Sequence, residues 1–205
     1  MTVAVVNSGV GNLGAIPNML ARVGASAIVT TDPDVVRRAE RVVLPGVGSF
    51  DAALRNLESS GVLDALHDKV LVQKAPFLGL CLGMELLADR SEEGRRSGLG
   101  WIPGSVVRFR FDGLEPPPRV PHMGWNWVRP TRNVPILQDL GPNARFYFAH
   151  SFHFVPDDPA DTVGVSTYGL EFAAVIQREN VMGLQFHPEK SHRFGLRVFE
   201  NFLRL

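Results

Sequence analysis

The residue best equipped for chemistry is Cys81, the one cysteine of the chain, set in Phe77-Leu-Gly-Leu-Cys-Leu-Gly-Met84. An apolar strand-like run, Gly-x-Cys-x-Gly, and then a helical pattern make the grammar of a nucleophile elbow, a sharp strand-to-helix turn that lifts a side chain out at the end of a sheet. Small residues two before and two after are needed because the turn is too tight for neighbouring side chains. Such a sulfur lies at the carboxyl end of a strand, where open α/β sheets place ligands. The helix that follows, read over 82–88, offers free N–H groups and a positive dipole end, which favour thiolate over thiol. The Leu82 amide is placed to donate to an oxyanion. A free cysteine without such flanks is more often a buried apolar residue; the two glycines tip the reading toward a nucleophile.

A thiol nucleophile needs a base. Six histidines are available, at 67, 122, 150, 153, 187 and 192. His187 stands out because it ends the strand-like run 181–186 and is followed by Pro188 and Glu189. Two residues on, a carboxylate can return to the same side, accept from one imidazole nitrogen, fix the tautomer and stabilise the imidazolium. Cys81, His187 and Glu189 are therefore expected as nucleophile, base and orienting acid. His67 reads as solvated, His192 as a cap or surface residue, and His122 as structural. The turn Pro45-Gly46-Val47-Gly48 closes another strand, and one of its amides, from Gly46, Val47 or Gly48, is a candidate second oxyanion donor beside Leu82. Loss of one such donor costs about 2.7–4 kcal/mol of transition-state stabilisation.

The elements that must carry these residues alternate in the first half of the chain. Strands are expected at 3–6, 26–30, 41–44 and 77–80, with helices over about 13–23, 32–39, 50–57 and 62–72 between them. The second half reads as short strands at 106–111, 125–128, 145–148, 163–168, 173–177 and 181–186, then a helix from about Phe194 to Leu205. Prolines 116–118 mark a loop. The fold class is α/β: one domain over residues 1–205, a three-layer open mixed sheet, parallel in its first half with antiparallel additions, flanked by helices.

Composition narrows the function further. Twenty-one Lys and Arg against 21 Asp and Glu give a net charge of +0, which speaks against a nucleic-acid-binding surface. Arg108, Arg110 and Arg119 read as a solvated edge. A hydrophobic share of 45% suits a packed core. The apolar stretch from Ala75 to Leu87 is broken by Pro76, Gly79, Gly83 and Glu85, so no membrane span is expected. A first segment without a basic leader points to the cytoplasm. One cysteine permits neither an intramolecular disulfide nor a cysteine-based zinc site. Trp101 and Trp127 are expected in the core.

The stretches VGNL (10–13), LPGVGSF (44–50), GLCLGM (79–84), SEEG (91–94), GLGW (98–101), PHMGWN (121–126), YFAHSFHF (147–154) and GLQFHPEKS (183–191), in that order along the whole chain, resemble the class I, triad-type glutamine amidotransferases. Within that family the chain is similar to the glutaminase subunits of imidazole glycerol phosphate synthase. The resemblance implies glutamine as substrate, Cys81, His187 and Glu189 as the triad, and glutamine binding by Gly48, Glu85, Glu93, Ser151 and Phe152. It implies no metal and no organic cofactor. It places Asn12, Trp125 and Lys190 at the face of a heterodimer with a synthase or cyclase subunit, into which ammonia passes, and it implies low activity without that partner.

Four features depart from the pattern. Glu85 stands where Gln is usual. Asn7-Ser8 replaces Asp-Tyr, and Phe152 replaces Tyr. His192-Arg-Phe-Gly195, with Ile16-Pro-Asn-Met-Leu20, looks more like paralogues that supply ammonia to a sugar amidotransferase of surface-polysaccharide synthesis. That acceptor, a catalytically silent binding subunit, and a cysteine peptidase of similar architecture are the alternatives.

Overall fold

The first strand, β1 (Thr2–Val6), shows no apolar–polar alternation because both of its faces are covered. Val3 and Val5 enter one apolar cluster and Ala4 and Val6 the other, all fully buried. The computed structural model describes residues 1–9 and 13–205. In it the chain runs on through α1 (Ala15–Arg22), β2 (Ser26–Thr30), α2 (Pro33–Arg38), β3 (Arg41–Gly46), α3 (Phe50–Ser59) and α4 (Val62–His67) to β4 (Phe77–Cys81) and the single turn α5 (Leu82–Glu85). The α2 start follows from its sequence: the Asp32 carboxylate accepts the Asp34 N–H at 2.8 Å, and Pro33 fills the first helical position.

The second half supplies β5 (Arg90–Ser91), β6 (Gly104–Arg108), β7 (His122–Trp127), β8 (Arg129–Pro130), β9 (Arg145–His150), β10 (Phe152–Pro156), β11 (Thr162–Tyr168), β12 (Leu170–Arg178), β13 (Val181–Leu184) and α6 (His192–Leu203). The main sheet has the order β2-β1-β3-β4-β13-β12-β11-β8. Its pairs from β2 to β13 are parallel and those beyond are antiparallel. It is thus the mixed sheet expected from the sequence. Smaller sheets, β10-β6-β5 and β7-β9, stand beside it. One face of the main sheet packs against α1 and α6 through residues such as Ile16, Leu20, Phe199 and Phe202; the other packs against α2 to α4 through Val36, Leu54, Leu57 and Leu66. Among the described residues no helix is long and apolar enough to cross a membrane.

Several boundaries differ from the sequence reading. The helix expected over 82–88 is one turn, ending at Glu85. The helix expected over 62–72 is α-helical only to His67 and continues as a π-turn over Asp68–Val72. The strand β10 had no counterpart in the reading. Trp127 is not core: it is 61% exposed. It shares its face of β7 with Met123 and Trp125, both exposed, while His122 is turned inward; a strand's period of two leaves no other outcome. Trp101 is buried, edge-on to Phe77 at 5.1 Å.

The turn after β4 is held by contact that tolerates no side chain. A Cβ on Gly83 would lie 1.8 Å from the Leu44 carbonyl oxygen of β3, and one on Gly79 would lie 2.4 Å from the Gly83 carbonyl oxygen. Gly83→Ala is expected to lower folding stability by about 1–3 kcal/mol, read from the urea midpoint. An unchanged midpoint would mean that α5 and β3 are not in contact.

Candidate active site

Cys81 ends β4 with φ 52° and ψ −109°. This is a conformation that L-residues seldom adopt, and it persists because the surrounding packing dictates it. In register with it on β3 is Gly46, the last residue of that strand. Beyond Gly46 the chain turns, with Gly48 at φ 103°. Val47 and Gly48 line the cavity beside Cys81, whereas Gly46 is buried in the strand. On the other side β13 runs parallel to β4, with Leu184 paired to Leu80. Three residues past Leu184, His187 is therefore delivered to the same end of the sheet as Cys81.

His187 is held from several directions. The His187 N–H donates to the Tyr147 carbonyl at 2.9 Å, and its Nδ1 lies 2.9 Å from Glu189 Oε1. With the carboxylate as acceptor, Nδ1 is the donor of this contact, and Nε2 is the ring nitrogen left facing away from Glu189. The Ser191 hydroxyl donates to the His187 carbonyl at 2.6 Å and accepts the Tyr147 N–H at 3.0 Å. His187 is buried. Pro188 starts a short 3-10 turn, Pro188–Lys190, which brings Glu189 back beneath the ring.

A cavity of about 270 Å³ opens at this end of the sheet. Cys81, Leu82, Gly48, Glu85, Glu93, Ser151 and Phe152 all line it, as does His150. Glu93 Oε2 accepts the Phe50 N–H at 3.0 Å, and burial pushes its pKa up. Glu85 is buried and its Oε1 accepts from Gln185 Nε2 at 2.9 Å. Burial raises the Glu85 pKa to about 7, against the effect of Gln185 and with a further push from Glu93. Among the described residues no group of three His, Cys, Asp or Glu side chains is arranged to hold a metal ion.

The thiol does not behave as expected from the sequence. Burial pushes the Cys81 pKa well up, Glu85 adds to that, and the Leu82 amide acts in the other direction. A helix of four residues supplies little dipole, so desolvation wins. Glu189 and Lys190 also act on it, in opposite senses, which places the His187 loop within electrostatic reach of the sulfur.

Of the residues implied for a partner face, Asn12 lies outside the described residues. Trp125 is 41% exposed, stacks on His192 with ring centroids 5.4 Å apart, and meets Tyr147 edge-on at 6.3 Å. Lys190 Nζ lies 5.5 Å above the Tyr147 ring. Trp125, Tyr147 and Lys190 thus share one surface. Arg108, Arg110 and Arg119 are exposed, as a solvated edge requires. Gln185, Tyr147 and Ser191 were missed in the sequence. Gln185 meets Glu85 from a hundred positions away, and only the β4–β13 pairing shows it.

The family description "Glutamine amidotransferase class-I" matches residues 4–205. The chain is 47% identical over 204 residues to a Pseudomonas aeruginosa protein named imidazole glycerol phosphate synthase subunit HisH 2, covering 99% of both chains. It is 40% identical over 203 residues to the HisH subunit of Leptospira borgpetersenii, covering 99% of this chain and 100% of that one. Its fold is that of a putative GMP synthase component from Thermoplasma acidophilum (TM-score 0.73, 20% identity, 100% and 92% of the two chains). It is also that of the glutaminase domain of Trypanosoma brucei CTPS (TM-score 0.63, 12% identity, 100% and 94%).

Glu85 generates a prediction in two parts. Its folded-state pKa lies above its unfolded value, so the protonated form is favoured by folding, and stability is lost as pH rises through about 7. Relative to Glu85→Gln, the native protein should lose about 3 kcal/mol between pH 4.5 and pH 7. In the same variant the Cys81 alkylation profile with iodoacetamide should move to lower pH, because a charge that opposes the thiolate is gone. Parallel stability curves and an unmoved alkylation profile would remove Glu85 from the electrostatics of the site.

Proposed function

The chain belongs to the class-I glutamine amidotransferase family, and from that premise we propose that it is a HisH-type glutaminase subunit of imidazole glycerol phosphate synthase, hydrolysing glutamine at Cys81. The observation that carries the reading is the delivery of Cys81 and of a carboxylate-oriented His187 by adjacent parallel strands to one end of the sheet. Cys81 attacks the side-chain amide carbon, and its proton passes to His187 Nε2. The oxyanion is held by the Leu82 N–H and by a donor from the 46–48 turn. The imidazolium, stabilised by Glu189, gives its proton to the departing ammonia. Water, activated by His187, then cleaves the thioester and releases glutamate.

The cavity suits an amino-acid substrate. Two carboxyl groups, Glu85 and Glu93, face a substrate that brings an ammonium group, and the Gly48, Ser151 and Phe152 segments line the rest. An ammonium beside Glu85 cancels part of the field that keeps the sulfur protonated, so glutamine itself lowers the cost of the thiolate. The partner is a cyclase subunit of the HisF type, met through the surface of Trp125 and Lys190, with Asn12, and ammonia is handed across that face.

Cys81→Ala is expected to abolish glutamate release with the circular dichroism spectrum intact; residual turnover at the native rate would overturn the nucleophile assignment. Glu189→Gln should lower kcat by about 10²–10⁴-fold, because the wrong His187 tautomer is then allowed. Glutamate release by the purified chain should rise at least about tenfold when a HisF-type cyclase is added, and full activity alone would overturn the partner dependence.

A further inference from the structure

The β7–β9 pair carries a chain of polar contacts that hydrolysis does not use. His122 and His150 are opposite each other in its register, and both are buried. Phe109, Phe148, Tyr168 and Phe172 enclose them. His122 Nδ1 lies 3.0 Å from His150 Nε2, and His150 Nδ1 lies 2.7 Å from the Phe152 carbonyl oxygen. At the far end Asn126 Nδ2 lies 3.3 Å from His122 Nε2.

The proton positions follow from the partners. Asn126 Oδ1 accepts the Trp127 N–H at 2.8 Å, and Asn126 Nδ2 donates to the Thr167 carbonyl at 2.8 Å, so the amide has one orientation. Its second N–H must donate to His122 Nε2. His122 then carries its proton on Nδ1 and donates to His150 Nε2. That leaves His150 with its proton on Nδ1. The other end gives the same answer, since the Phe152 carbonyl can only accept. Charging either ring would set N–H against N–H, and burial opposes it: the pKa of His150 is pushed down to about 3 and that of His122 to about 4.

We propose that His150 and His122 are positioning residues for the substrate cavity: fixed as Nδ1–H tautomers in one directed chain from Asn126 to the Phe152 carbonyl, they set the Ser151–Phe152 wall beside Cys81. The Ser151 carbonyl is held as well, accepting the Phe109 N–H at 3.0 Å. Both peptide oxygens of the segment are thus engaged by the protein, and the segment lines the cavity in one conformation. This rests on the glutaminase reading, since the wall is taken to face glutamine.

The test combines a spectrum with two labels. Long-range ¹H–¹⁵N correlation of the ¹⁵N-histidine protein at neutral pH, with signals assigned through His122→Asn and His150→Asn, should show both rings protonated on Nδ1. Saturation of Cys81 labelling by the glutamine analogue 6-diazo-5-oxo-L-norleucine should need about tenfold more reagent in His150→Phe. Its iodoacetamide rate should stay within about twofold of native, because the thiol itself is untouched. His150→Asn, whose amide can replace the Nδ1–H donor, should recover most of the loss. A proton on Nε2 of either ring in the native protein overturns the proposal, whatever the variants do. So does His150→Phe with native affinity for the analogue, or a loss that His150→Asn does not relieve. Native protein that takes iodoacetamide but never the analogue overturns the glutaminase reading instead.

Discussion

The chemistry of this chain depends on three parallel strands in register. β3, β4 and β13 stop within a residue or two of the same level, with Gly46 opposite Cys81 and Leu80 opposite Leu184. The loops that leave them therefore converge on one small volume. A slip of a single residue in β13 would turn its side chains to the opposite face of the sheet and carry His187 with them. The slip is opposed at Gly183, where a Cβ would lie 2.6 Å from Met84 Cγ and 2.9 Å from Ile176 Cγ1, so that neither Met182 nor Leu184 fits in its place. The placing of Cys81 and His187 is thus a property of the sheet's core.

Burial works in two directions at this site. It excludes water and strengthens every charge interaction, yet it also favours the neutral form of each acid and base that is not paired. Glu85, Cys81, His122 and His150 all lean to their uncharged states for that reason. His187 and Glu189, by contrast, face each other across a 2.9 Å contact.

Much of this was legible in the sequence, for local reasons. The elbow around Cys81 is written in its two glycines, and His187-Pro-Glu189 encodes its own contact within three residues. The alternating first half implies the parallel sheet through periodicity alone. What stayed hidden was non-local or a matter of parity. Trp127 is misplaced by its apolar bulk when the face on which it falls is left out. The short α5 is over-extended because Leu86 and Leu87 continue an apolar pattern although the chain has already turned. Gln185 beneath Glu85, and the pairing of His122 with His150, exist only once distant strands are aligned, and nothing in single-chain periodicity announces them.

Ser191 gives the architecture a mechanical consequence. It stands at the N-terminal boundary of α6, while its hydroxyl gives its only proton to the His187 carbonyl and takes the Tyr147 N–H in return. Helix α6, His187 and strand β9 are thereby tied at one oxygen atom. The tryptophan stacked on His192 at the first turn of α6 thus touches the residue next along the chain from the oxygen that fixes the imidazole-bearing loop.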